Sequence, residues 1–174
     1  MQKKGNSMKT NYKKMTFTAI MAAVGYVLST FVYFPNMAPF QHFVNVICGV
    51  ILGPWYGFLA ALITGILRIL SGRTVLAIIG AVFGAFLAGL LYRLTKKMIF
   101  AVVGEIIGTG FISALVAMPF MKYGFAENPE VINSVFYYIP FFLPTSVVGA
   151  LMGYAVLLVL KRSGALVRIK DLLG

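Results

Sequence analysis

Apolar runs of about twenty residues recur along this chain, and most of its charge falls in the gaps between them. A hydrocarbon core roughly 30 Å thick asks for that length of helix, because backbone donors and acceptors in lipid must be satisfied within the segment. Composition agrees: 60% of the 174 residues are hydrophobic and 11% are charged, where a soluble domain carries about 25% charged residues. One domain of this length cannot hide so much apolar surface on itself. The pattern predicts an all-α, multi-pass protein of a bacterial plasma membrane, with membrane lipid around it.

The net charge of +11 invites a nucleic-acid reading, but its placement argues otherwise. Lys3, Lys4, Lys9, Lys13 and Lys14 precede the first apolar run; Arg93, Lys96 and Lys97 separate two later ones; Lys161, Arg162, Arg168 and Lys170 follow the last. Basic residues collected at helix ends are the positive-inside signal. No nucleic acid is expected as a partner. Cys48 is the only cysteine, which excludes an internal disulfide and a multi-thiolate metal cage. The N-terminus resembles a signal peptide, yet Tyr33-Phe34-Pro35 stands where small cleavage-site residues would be, so a retained first helix is expected.

In chain order, residues 1–14 read as a basic cytoplasmic tail, 15–160 as the transmembrane domain and 161–174 as a basic cytoplasmic C-terminal tail. The first span covers 15–34 and ends at Pro35 and Pro39, before an uncharged loop to Phe40. Residues 42–70 are too long for one comfortable helix, and Gly53-Pro54 breaks them. Charge decides between one crossing and two. With two, twelve basic side chains lie inside and three outside; with one, the split is eight to seven. The reading is therefore a six-transmembrane-helix bundle with both termini cytoplasmic. Later spans cover 75–93, 98–119 and 135–160; a loop carrying Glu127 and Glu130 suits the outer side, and Pro140 and Pro144 sit in the last helix.

Polar groups stand where lipid disfavours them, and such groups tend to face a bundle interior or a wet cavity. The hairpin Gln41–Thr74 holds Gln41, His42, Asn45, Arg68 and Thr74. His42 and Asn45, three apart, share a helix face. If the Gly-Pro break folds the limbs back, His42, Asn45, Arg68 and Thr74 meet at the outer membrane face, where they could hydrogen-bond a small polar heteroaromatic ligand. Tyr138, with Phe34, Phe40, Phe136, Tyr137, Phe141 and Phe142, could stack on it. The blander account is that Arg68 and Arg73 snorkel and the aromatics form an interfacial belt.

Glu105 is the only acidic residue within a span, and with Thr109 and Ser113 it stripes one helix face. It either pairs structurally with Arg93 or Lys96, or lines a ligand or proton path. Ala19 and Ala23 form an AxxxA, which on its own reads as ordinary close packing. There is no GxxxxGK[ST] phosphate loop, no carboxylate pair and no HExxH, and there is one histidine, so an enzyme is not expected, nor a metal or cofactor.

Taken together, the basic tail, AxxxA, His42/Asn45 as HxxN, the run from Gly49 to Tyr56, Arg68, GRT, GLLYR and GEIIGTG from Gly104 to Gly110 resemble the substrate-binding S component of an energy-coupling factor (ECF) vitamin transporter, of the ThiW type. The resemblance implies a subunit that binds a thiamine precursor such as hydroxyethylthiazole near the outer face. It also implies docking, through Ala19 and Ala23, on a transmembrane coupling protein driven by two ATPase subunits. The alternative from the residues alone is a self-sufficient proton-coupled transporter using Glu105.

Overall fold

The computed structural model describes residues 2–31, 38–125, 132 and 134–174, with side chains from residue 12 onward. Every element among them is helical. Helix α1 spans Gln2–Phe31, α2 Pro39–Ile51, α3 Pro54–Leu70, α4 Leu76–Thr95, α5 Met98–Gly124, α6 Ile139–Arg162 and α7 Ala165–Leu173. Four stretches are long and apolar enough to cross a bilayer: Tyr12–Phe31, Leu76–Thr95, Met98–Gly124 and Ile139–Arg162. Helices α2 and α3, with 13 and 17 residues, reach about 20 and 26 Å.

The break between α2 and α3 follows from its residues. Gly53 adopts φ 82°, open to a residue without Cβ, and Pro54 starts α3, where its missing N–H costs nothing. The chain then doubles back: a Cβ at Gly57 would lie 3.6 Å from the Gly49 nitrogen, and one at Gly25 would touch both Val44 and Thr64. Pro39, read from the sequence as helping to end the first span, opens α2 from a first-turn position.

Small residues set how closely the helices approach, the term that governs packing where lipid removes the hydrophobic drive. Gly104 and Gly108 of α5 lie against the α4 backbone at Leu87–Ala88 and Phe83–Gly84. Gly149 and Gly153 of α6 press on α2 at Pro39–Phe43 and Phe43–Val46. These contacts hold α2 at the centre, where it packs on α4 and α6. The main core runs from Val44 to Leu52 and takes in Ala60, Ala88, Ala101, Val102, Ala150 and Leu157.

Both basic ends are helical. Helix α1 runs unbroken from Gln2 through the lysines into the apolar stretch. After Gly164, at φ 73°, α7 buries Leu166 and Leu173 and packs Ile169 on the core. Lys170 of α7 donates to the Tyr92 hydroxyl, and Lys14 Nζ donates to the Gly174 carbonyl at 3.0 Å. Pro35, Phe34 and the Glu127/Glu130 loop lie outside the described residues.

Candidate functional site

Two helices bring polar side chains, and a third backbone carbonyls, to one buried region. From α2, the first turns supply Gln41, His42 and Asn45; from α5 come Glu105, Thr109 and Ser113; from α4 come two backbone carbonyls. All six side chains are buried, with Glu105, Thr109 and Ser113 at 0% exposure. Glu105 Oε1 is the hub. His42 Nδ1 lies 2.8 Å from it, Asn45 Nδ2 donates at 3.1 Å and Thr109 Oγ1 at 3.0 Å. Asn45 Nδ2 also donates to the Ala81 carbonyl at 3.0 Å, and Thr109 Oγ1 lies 3.2 Å from that of Gly80.

The sequence explains why this point forms. Gly84 leaves the room: a Cβ there would come within 2.7 Å of Glu105 Oε1 and would also meet Thr109. On the other side, a Cβ at Gly149 would be 2.8 Å from the His42 Cβ, so α6 holds the imidazole toward α5. Helix α5 is π-helical over Ile106–Ser113, immediately after Glu105. Such wide turns are rare and recur at functional sites. An isolated charge in this setting is prohibitively costly, and the imidazole–carboxylate pair supplies the compensation.

This arrangement corrects the sequence reading in two respects. One of the two readings of Glu105 paired it with Arg93 or Lys96; its carboxyl instead meets the His42 imidazole at 2.8 Å. The cluster lies within the bundle: Ala81 is five residues inside α4 and Glu105 seven inside α5, each on the order of 10 Å from the start of its helix. Arg68 and Thr74 stay out of the hydrogen-bonded set. Thr74 is exposed before α4, whereas Arg68 is half-buried one turn beyond Thr64, its Nε without a hydrogen-bond partner among the described residues.

Tyr138 is buried in an aromatic layer beside the cluster, 5.0 Å from the Tyr137 ring and 5.9 Å from that of Phe142. Phe142 lies over Gly80, where a Cβ would be 3.3 Å from its ring. Gly80 is the residue whose carbonyl faces Thr109, so ring and polar cluster share one backbone wall. The roles of Gly80, Ala81 and Gly84 were missed in the sequence. They read there as packing residues, and a carbonyl acceptor leaves no mark on residue type.

Residues 15–163 match the family described as "Thiamine-precursor transporter protein (ThiW)". The chain belongs to the ThiW family. Comparison with curated proteins and with solved structures finds no match. As a ThiW protein with several bilayer-length apolar helices, it is a multi-pass protein of the cell membrane, and its family is one of thiamine-precursor transporters. The ThiW match spans the whole cluster, from α2 through α5, together with the exposed small-residue face of α1. Ala19 and Ala23 are exposed on that face, while Ala22 between them is buried.

Proposed function

We propose that this ThiW protein is the substrate-specificity subunit of an ECF-type importer, binding hydroxyethylthiazole or a closely related thiamine precursor. In this reading α2 and α3 complete six crossings, both termini are cytoplasmic, and the ligand enters from the outer side. Uptake is then driven by a separate coupling protein and two ATPase subunits that contact the Ala19–Ala23 face. One observation carries the reading: a single small bundle separates a buried, hydrogen-bonding cluster from an exposed face of alanines. The first suits a small polar heterocycle, with Phe142 and Tyr138 alongside for stacking. The second suits close approach by another membrane helix.

The test is calorimetry on the purified chain with hydroxyethylthiazole and no ATP; saturable binding is expected. Binding of a different vitamin precursor instead would keep the class and discard the substrate. The buried His42–Glu105 pair favours one competing mechanism, a proton-coupled carrier that works alone. Proteoliposomes containing only this chain separate the two. Accumulation under a pH gradient, abolished by Glu105→Gln, would establish the carrier; no accumulation without partner subunits is the expected result.

A further inference from the structure

The amide hydrogen bonds of the buried cluster have determined directions, and following them leaves oxygens over. The Ala81 carbonyl can only accept, so Asn45 must turn its amino group toward it, and the same group reaches Glu105 Oε1. Asn45 Oδ1 is then an acceptor, and Gln41 Nε2 meets it at 3.2 Å. That fixes the Gln41 amide and leaves its Oε1 buried with no partner among the described residues. Glu105 is equally lopsided: Oε1 is approached by three side chains, and Oε2 by none. Ser113 Oγ, four residues along α5 from Thr109, is likewise buried and without a partner among the described residues, as is Thr30 Oγ1 on α1. Native interiors rarely leave such groups unsatisfied, and each asks for an explanation.

We infer that Gln41 Oε1, Glu105 Oε2 and Ser113 Oγ form a subsite for the hydrogen-bond-donating end of the ligand, and that Glu105 touches the ligand directly. The inference rests on the substrate-binding role proposed above and narrows its chemistry. With His42 and Asn45 donating to Oε1, the Glu105 carboxylate offers Oε2 as an acceptor. The Gln41 amide oxygen, four residues along α2 from Asn45, and the Ser113 hydroxyl, four along α5 from Thr109, are the other two open acceptors. The matching group is an alcohol or amine on a neutral heteroaromatic. A phosphate ester of that alcohol brings only acceptors and negative charge toward a buried carboxylate, so the site rejects it.

Matched ligands test this on the unaltered chain, without relying on a variant to fold. Detergent-solubilised protein is titrated with hydroxyethylthiazole, its O-methyl ether and its phosphate ester. The ether, which has no donor, is expected to bind at least about tenfold more weakly than the alcohol, because it leaves the buried oxygens unpaired. The phosphate ester is expected to show no binding. Ser113→Ala is expected to weaken the alcohol severalfold and leave the ether unchanged. Equal affinity for alcohol and ether, as a protonated Glu105 donating to the ring nitrogen would give, overturns the inference and leaves the transport reading standing. So does tighter binding of the phosphate ester. If neither alcohol nor ether binds, the thiazole reading fails and takes this inference with it.

Discussion

Helices α1 and α2 are both apolar and adjacent in the chain, yet they are built for opposite surroundings. Eleven of the 13 residues of α2 are buried, against 22% of the most apolar stretch of α1. On α2 the polar side chains are enclosed and tied to α4 and α5. On α1 the buried polar groups bond mostly to their own helix, as Thr18 does to Lys14 and Ser29 to Gly25, while Met15, Ile20, Val27 and Phe31 face outward. Apolar character alone therefore does not say which helix forms the interior. The glycines opposite α2 do, because they let α4 and α6 close on it.

The comparison can be broken most sharply at His42. His42→Ala removes one partner of a buried pair and is expected to destabilise the protein by about 3–5 kcal/mol, read as a fall in thermal midpoint with loss of ligand binding. Near-normal stability would mean that Glu105 does not need the imidazole. A smaller effect is expected at the α2–α6 contact. Gly149→Ala drives a methyl group into the Pro39–Phe43 backbone and should cost about 1–3 kcal/mol. No change there would show that α6 does not fix the depth of α2. The smallest stability effect belongs to α1. Ala19→Trp should shift folding by no more than about 0.5 kcal/mol and leave hydroxyethylthiazole affinity intact, while co-purification with the coupling protein and ATPases is lost. Reduced ligand affinity in that variant would place the alanine face inside the functional bundle.

Much of the helical framework was legible from residues. Hydropathy marked the apolar segments that become α1 to α6, and Gly53-Pro54 marked the reversal, because glycine and proline act on the backbone directly. The His42/Asn45 spacing was enough to single out that pair. Its partner was not legible, because the depth of α2 depends on contacts between glycines far apart in sequence. The sequence offered Glu105 either Arg93 or Lys96 as a partner, or a place on a ligand or proton path; packing of Gly149 and Gly153 on α2 brings His42 to it. The π-helical stretch after Glu105 has no residue signature. Helix α7 did leave a signal: Leu166, Ile169 and Leu173 recur at helical spacing within a segment read as a basic tail.

Of the bonds that tie α1 to its neighbours, one lies directly behind the two alanines. Thr64 Oγ1 lies 3.1 Å from the carbonyl of Ala22, the buried residue between the two exposed alanines. It also bonds its own helix at the Ala60 carbonyl, so one hydroxyl spans both backbones. A load applied at Ala19 and Ala23 thus passes into α3 directly behind the point of contact. To part α1 from α3 behind the alanines, that shared hydroxyl contact has to break.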